Sequence, residues 1–284
     1  MSDSEPKDPR QDWSALSQAE RDAAYDNNKA VADSPALVAA RNAASAKLQA
    51  LHPRTLDVPY GPGERTKFDL YPAQDRSAPC LVFLHGGYWQ RNSREDFAMM
   101  IEGLAAHGWS VAIPGYSLAP QASLMQIVQE ISQALDWLAA KGPSQGIAGP
   151  VLLCGWSAGA QLATLALHHA VVTAGLAISG VFDLAPIRDT WLNAALRLTD
   201  EEIAKLSPLR IPVVQKPLVI AYGSAELPAL VWDSRKLHEV RRAAGAPGEL
   251  IAVEGADHFT ILDELRRADG LLTKAALSVV PKPG

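Results

Sequence analysis

Short apolar runs alternate with amphipathic segments over most of the chain. Each run has four or five apolar residues and is bounded by Gly or Pro, as expected for strands buried on both faces. The clearest segment between runs has Leu124, Ile127, Val128, Ile131, Leu135 and Leu138 at helical spacing. This alternation predicts an α/β fold with a mostly parallel, doubly wound sheet flanked by helices. The six runs are Cys80–Leu84, Trp109–Ile113, Pro150–Cys154, Gly175–Ile178, Pro217–Ala221 and Glu249–Val253.

The segments outside this alternation suggest one domain over residues 13–284, preceded by a disordered stretch at residues 1–12. Residues 13–51 are Ala-rich and predict an N-terminal helical cap segment with two short helices, broken near Asn27 and near Ser34-Pro35. Thr66–Tyr71 alternates as an edge hairpin strand does. Residues 184–211 are longer than one crossover helix needs. They form either a lid insert or an ordinary crossover with loops.

Composition narrows the function classes. The 284 residues are 48% hydrophobic and 20% charged, with a net charge of −5, which gives no basic stripe for nucleic acid. No apolar stretch is long enough to cross a bilayer, so no membrane association is expected. Cys80 and Cys154 can make neither a disulfide framework nor a metal site, which suits a reducing compartment and predicts a cytoplasmic protein.

The strongest chemical signal is Gly155-Trp-Ser-Ala-Gly159, which follows an apolar run and opens a helical segment. A G-x-S-x-G sequence between a strand and a helix presents the serine on a sharp turn, exposed to a base. Ser157 is therefore the predicted nucleophile. The alternative is a Gly- and Ser-rich turn without chemistry.

The loop His85-Gly-Gly-Tyr-Trp89 directly follows another buried run. Two glycines there allow the backbone to turn its N–H groups toward a ligand, and such donors stabilise the oxyanion of acyl transfer. We predict an oxyanion hole from Gly86, Gly87, Tyr88 and, after the nucleophile, Ala158. His85 is expected to prop the loop rather than to act as a base.

A base and an acid are expected in loops after the last two strands. His258 follows the final apolar run and is the predicted base, because the other six histidines lie in less suitable places. Glu226 follows the penultimate run and is the predicted acid that orients the imidazole. Its competitors are Asp233, Asp183 and Asp257.

Taken together, these motifs resemble the α/β-hydrolase group that includes kynurenine formamidase (arylformamidase) and hormone-sensitive-lipase-like esterases. The resemblance is carried by His85–Trp89, Gly115–Pro120, Gly155–Ala160, Gly223–Pro228 and, near the N-terminus, Leu16–Arg21 with Tyr25–Asn28. It implies the α/β-hydrolase fold, with N-terminal helices over the active site. Two residues depart from the family pattern. Trp156 replaces a common histidine, which bears on the substrate, and Glu226 replaces a common aspartate.

The resemblance implies a serine hydrolase that cleaves a small amide or ester, with arylformamidase activity as the specific expectation. A carboxylesterase or carbamate hydrolase is the alternative, followed by a non-catalytic binding protein on the same scaffold. No metal or organic cofactor is expected. The partner is a small-molecule substrate, and a homodimer is left open. Aromatic residues near the site in sequence predict an aromatic-lined pocket that suits an aryl or other flat apolar substrate, although Phe182 and Trp191 could equally pack the core. The predicted pocket residues are Tyr25, Trp89, Trp156, Phe182, Trp191 and Phe259.

Overall fold

A mostly parallel sheet organises the protein, whose computed structural model describes residues 8–51 and 56–280. Within these residues the sheet has eight strands in the order β1-β2-β4-β3-β5-β6-β7-β8. All neighbours from β4 to β8 pair in parallel, and β2 is antiparallel to β1 and β4. The strands are β1 (Val58–Pro59), β2 (Lys67–Tyr71), β3 (Cys80–Leu84), β4 (Ser110–Pro114), β5 (Val151–Trp156), β6 (Val172–Ile178), β7 (Leu218–Gly223) and β8 (Leu250–Val253). The predicted fold class is confirmed.

Helices cover both faces of the sheet. They are α1 (Gln18–Ala23), α2 (Asn27–Ala30), α3 (Ser34–Leu51), α4 (Ile101–Ala105), α5 (Leu124–Lys141), α6 (Ala158–Ala166), α7 (Ala185–Arg188), α8 (Asn193–Leu196), α9 (Asp200–Leu206), α10 (Pro228–Ala243), α11 (Asp263–Arg266) and α12 (Leu271–Val279). Short 3-10 turns add Trp13–Ala15, Arg94–Met100, Gly142–Gln145 and Thr260–Leu262. None of these helices combines the length and apolarity that a membrane span would need.

Alternation along the strands divides the interior into two cores. On β3, Cys80, Val82 and Leu84 belong to one core, whereas Leu81 and Phe83 belong to the other. This is the two-residue period of a strand whose faces are both covered. The buried positions of α5 fall at helical spacing, and a capping box of Ser123 and Gln126 begins that helix.

The ends of the sheet differ from the sequence predictions. Thr66–Tyr71 was expected at an edge, but β2 lies between β1 and β4, and its Asp69 is buried. Arg94 compensates that carboxylate, with its Nε 3.0 Å from Oδ1 of Asp69. The last apolar run was expected to be buried on both faces, yet β8 is the other edge of the sheet and is only half-buried over most of its length.

The N-terminal region has three α-helices, α1 to α3, where two short ones were predicted. The two positions predicted to interrupt the helices, Asn27 and Ser34, are instead the first residues of α2 and α3. Asp26 accepts a hydrogen bond from the Lys29 backbone N–H and caps α2, and α3 begins at Ser34 with Pro35 in its first turn. Proline at that place fits the helix, because its missing N–H would have no partner there.

Residues 1–12 were predicted to be disordered. Residues 1–7 lie outside the described residues, but residues 8–12 form a turn. The cause is Arg10, whose guanidinium lies 4.0 Å from the Trp232 ring centroid and 3.1 Å from Oδ1 of Asp233. A buried carboxylate and an aromatic face therefore hold this segment against α10.

Asp233 should make stability depend on pH. Burial raises its pKa to about 7 from the ordinary 3.8, against the opposing charge of Arg10. The folded protein thus holds a proton that the unfolded chain loses, so this contribution to stability is complete below about pH 3.8 and is lost as pH rises through about 7. We expect the free energy of unfolding of the native protein to fall over this range relative to Asp233→Asn.

Urea denaturation of both proteins at several pH values between 4 and 8 would measure this difference. Asp269→Asn, at a side chain that is 74% exposed, is the control and should track the native protein. A constant difference between the native protein and Asp233→Asn would show that Asp233 stays ionised throughout.

Candidate active site

Ser157 lies on a sharp turn between β5 and α6. Its backbone has φ +57° and ψ −123°, a region that non-glycine residues rarely adopt. A Cβ at Gly155 would lie 2.0 Å from the Gly159 carbonyl oxygen, so this close turn requires glycine at position 155. The turn places the serine at the carboxyl end of a central strand and at the N-terminus of a helix.

The structure brings the three predicted side chains into one hydrogen-bonded chain. Nε2 of His258 lies 3.1 Å from Oγ of Ser157, and Nδ1 of His258 lies 2.9 Å from Oε2 of Glu226. Glu226 comes from the loop after β7 and His258 from the loop after β8. All three residues are more than nine-tenths buried.

The competing acids lie elsewhere. Asp233 accepts hydrogen bonds from the Phe182 and Asp183 backbone, and Asp183 forms an ion pair with Arg210. Asp257 accepts from the backbone N–H groups of Phe259 and Thr260, within its own turn. Only Glu226, among the described carboxylates, contacts the imidazole of His258.

Ser179 is a site residue that the sequence reasoning missed. Its Oγ donates to Oε1 of Glu226 at 2.5 Å, and the Gly223 N–H donates to the same oxygen at 2.7 Å. These two donors fix the carboxylate so that its other oxygen faces His258. The signal was the position of Ser179 directly after β6, because the carboxyl ends of parallel strands meet at one edge of the sheet.

The His85–Trp89 loop passes beside Ser157. A Cβ at Gly86 would lie 2.7 Å from Cβ of Ser157, so the loop backbone directly contacts the serine. The backbone N–H groups of Gly87, Tyr88 and Ala158 donate no hydrogen bond to any other described residue. They are therefore free to meet a developing oxyanion.

His85 supports this loop from the protein interior. Its ring is fully buried and stacked on Tyr116, at 4.3 Å between centroids. Its Nδ1 lies 2.8 Å from the Gly86 carbonyl oxygen. Burial lowers the pKa of His85 to about 3, so the ring is neutral at physiological pH. The structure agrees with a propping role.

A cavity of about 240 Å³ opens at Ser157 and His258. The loop residue Tyr88 lines this cavity. Four of the predicted aromatic residues line it as well, namely Tyr25, Trp156, Trp191 and Phe259. The prediction for Trp89 is wrong, and Phe182 packs in the core, which is the alternative that the sequence left open. Trp89 is fully buried and donates through Nε1 to Gln161 at 3.1 Å. Phe182 is also fully buried, because its backbone N–H is bound to Asp233 and its ring packs against Gly180.

The two segments that could cover the active site, residues 13–51 and 184–211, both contribute to the cavity wall. Tyr25 and Arg41 line the cavity from the N-terminal region, and Trp191 lines it from residues 184–211. The two segments are also joined, since the Trp191 N–H donates to Asp22 at 2.8 Å. Whether either segment moves as a lid stays a prediction.

Tyr88 connects the loop to the N-terminal region. Its hydroxyl donates to the Tyr25 carbonyl at 2.7 Å and accepts from Nδ2 of Asn27 at 3.0 Å. Trp156 makes a second connection, because its Nε1 donates to the His258 carbonyl at 2.9 Å. The residue that departs from the family pattern thus holds the histidine loop as well as lining the cavity.

Sequence and structure comparisons agree with this architecture. A family described as BD-FAE matches residues 68–174. Kynurenine formamidase of Danio rerio is 27% identical, over 95% of this chain and 99% of the relative. Kynurenine formamidase of Salmo salar is 30% identical, over 80% of this chain and 82% of the relative. The chain belongs to the kynurenine formamidase family. A solved structure from Silicibacter sp. TM1040 matches this family member with a TM-score of 0.80 and 26% identity, over 90% of this chain and 98% of that one.

The α/β-hydrolase fold predicted from the motifs is thereby confirmed. As a member of the kynurenine formamidase family, the protein is a hydrolase of small amide or ester substrates. This finding disfavours a non-catalytic binding protein on the same scaffold.

Proposed function

We propose that the protein is an arylformamidase-like serine hydrolase that works through Ser157, His258 and Glu226. The observation that carries this proposal is the 3.1 Å approach of His258 Nε2 to Ser157 Oγ, with Glu226 on the opposite ring nitrogen. A serine becomes a useful nucleophile only when such a base accepts its proton. The names of the relatives support formamides as the substrate class.

In the proposed first step, Oγ of Ser157 attacks the substrate carbonyl while its proton passes to Nε2 of His258. The carbonyl oxygen becomes an oxyanion, which we expect the N–H groups of Gly87, Tyr88 and Ala158 to stabilise, since they have no other acceptor among the described residues. Collapse of this intermediate breaks the C–N bond. His258 returns the proton to the leaving amine, which leaves an acyl group on Ser157.

In the second step, water gives a proton to His258 and attacks the acyl ester. The bond to Oγ breaks, the carboxylic acid leaves, and Ser157 regains its proton. Glu226 keeps its charge throughout and stabilises the imidazolium that forms twice in the cycle.

The cavity supports a small, flat substrate. Its volume of about 240 Å³ and its tryptophan and tyrosine walls suit one aryl ring beside the reacting carbonyl. The same geometry also serves a small ester, so a carboxylesterase is the second candidate. We retain the cytoplasm as the proposed location, since both cysteines are free and buried. The homodimer stays a prediction.

Parallel assays would separate the two candidates. We expect a higher kcat/KM for formate release from N-formylkynurenine than for hydrolysis of 4-nitrophenyl acetate. The reverse order would favour the esterase. Absence of both activities, with no labelling of Ser157 by a fluorophosphonate, would overturn the proposed mechanism.

Tyr88→Phe should test whether the N-terminal region positions the oxyanion loop. The variant loses the hydrogen bonds to Tyr25 and Asn27, each worth about 0.5–1.5 kcal/mol. We expect kcat to fall by roughly 3- to 10-fold if part of this energy orients the loop. Tyr60→Phe, which loses a bond to the Gly115 carbonyl, is the matched control. Equal kcat values in the two variants would exclude this positioning role.

A further inference from the structure

Arg41 is a buried cation in the wall of the catalytic cavity. It lies on α3, is 7% exposed, and lines the same cavity as Ser157 and His258. Its guanidinium carbon lies over the Phe97 ring, 4.2 Å from the centroid. This packing fixes the side chain in place before any ligand arrives.

The hydrogen bonds that the Arg41 guanidinium donates all go to neutral side-chain amides. Nε and Nη2 donate to Oδ1 of Asn42 at 3.0 and 2.9 Å, and Nη2 reaches Oδ1 of Asn92 at 3.4 Å. Among the described residues Arg41 forms no ion pair, and its Nη1 has no hydrogen-bond acceptor. The acid with the largest electrostatic effect on it is Asp96, whose carboxylate is bound to the Ser93 N–H at 2.8 Å.

Other buried guanidinium groups of the described chain are compensated. Arg94 pairs with Asp69, and Arg10 pairs with Asp233. Arg241 donates to three backbone carbonyl oxygens. A buried charge normally has such partners, because removing it from water is costly. Arg41 differs from these residues because it lines the cavity at Ser157 and, among the described residues, has neither a carboxylate nor a backbone carbonyl as a partner.

Counted together with Arg41, the cavity wall has two arginines and one acidic residue. Arg91 lies at the mouth, exposed, with its guanidinium 5.5 Å from the Trp191 ring centroid. The acidic residue of the wall is Asp26, and its Oδ1 already accepts the Lys29 backbone N–H at 3.1 Å. An anionic group would therefore be attracted into this cavity.

We propose that Arg41 binds a carboxylate of the substrate, so that the site selects amides or esters that carry an acid group. Nη1 supplies the free donors, and a charge-assisted hydrogen bond there would compensate the buried cation. Arg91 adds attraction at the mouth. As a statement about selectivity during turnover, the proposal rests on the proposed function.

Binding of a matched pair of small molecules tests the proposal without turnover. We expect isothermal titration calorimetry to show that 2-aminobenzoate binds at least 10-fold more tightly than the uncharged 2-aminobenzamide. Arg41→Gln should remove this preference. Arg242→Gln, an exposed site on α10 with the same change of charge, should retain it. Equal binding of the two molecules, no saturable binding of the acid, or an unchanged preference in Arg41→Gln would overturn the proposal.

Steady-state turnover provides a second test of the proposed role of Arg41. We expect Arg41→Gln to lower kcat/KM for formate release from N-formylkynurenine by about 10- to 100-fold, with a much smaller effect on its methyl ester. Equal losses on both substrates would mean that Arg41 only packs against Phe97, and would overturn the proposal. A native protein that prefers the acid in binding yet releases no formate would instead refute the proposed function alone.

Discussion

Ser157→Ala is expected to lower kcat by about 10⁴- to 10⁶-fold while leaving the fold intact. The hydroxyl is the group that His258 approaches, and its loss removes the covalent step altogether. The substitution deletes one oxygen and fills no new space, so the free energy of unfolding should change little. Formate release from N-formylkynurenine and urea denaturation would measure the two effects.

Ser132→Ala is the matched control, because the only hydrogen bond that Oγ of Ser132 donates among the described residues goes to the Val128 carbonyl within α5. This variant should keep native activity and should still be labelled by a fluorophosphonate, whereas Ser157→Ala should not. Native turnover in Ser157→Ala would exclude the proposed nucleophile. Loss of near-ultraviolet circular dichroism in that variant would instead indicate a damaged fold.

Much of the sheet could be predicted from the sequence because its strands are buried on both faces. Such strands have continuous apolar runs, and the run Cys80–Leu84 coincides with β3. One strand near the edge of the sheet, β2, lacks this pattern, and its place could not be predicted in the same way. Lys67–Tyr71 contains a buried aspartate, Asp69, whose described partners all lie outside the strand: Arg94, the Gln49 side chain and the Asp57 backbone N–H. No local pattern reports a partner 25 residues away.

The triad positions could also be predicted, since each follows a recognisable strand and one edge of a parallel sheet collects them. The residues that line the cavity could not be predicted in this way. Trp89 lies in the loop after β3 and Trp156 is the last residue of β5, yet Trp89 turns into the core to reach Gln161 whereas Trp156 lines the cavity. Which way a side chain points in these loops depends on backbone angles, such as φ +58° at Trp89, that sequence alone does not reveal.

Glu226→Gln should lower kcat by a factor on the order of 10⁴, because the wrong imidazole tautomer would be favoured. Oε1 of Glu226 accepts from both Ser179 Oγ and the Gly223 N–H. A glutamine must keep its carbonyl oxygen there, which places its NH₂ group against Nδ1 of His258. Nδ1 then has to accept, so Nε2 carries the proton and cannot take one from Ser157.

The Gly223 N–H decides this result, since a backbone donor cannot rotate to become an acceptor, whereas the Ser179 hydroxyl can. Ser179→Ala keeps the carboxylate and should lower kcat by only about 10-fold, the effect of one hydrogen bond to a charged group. Glu239→Gln, an exposed pair with Lys236 on α10, should keep native kcat and controls for charge. Steady-state formate release from N-formylkynurenine would rank the three variants. A Glu226→Gln enzyme as active as Ser179→Ala would mean that the carboxylate only holds the histidine in place, with no role in choosing its tautomer.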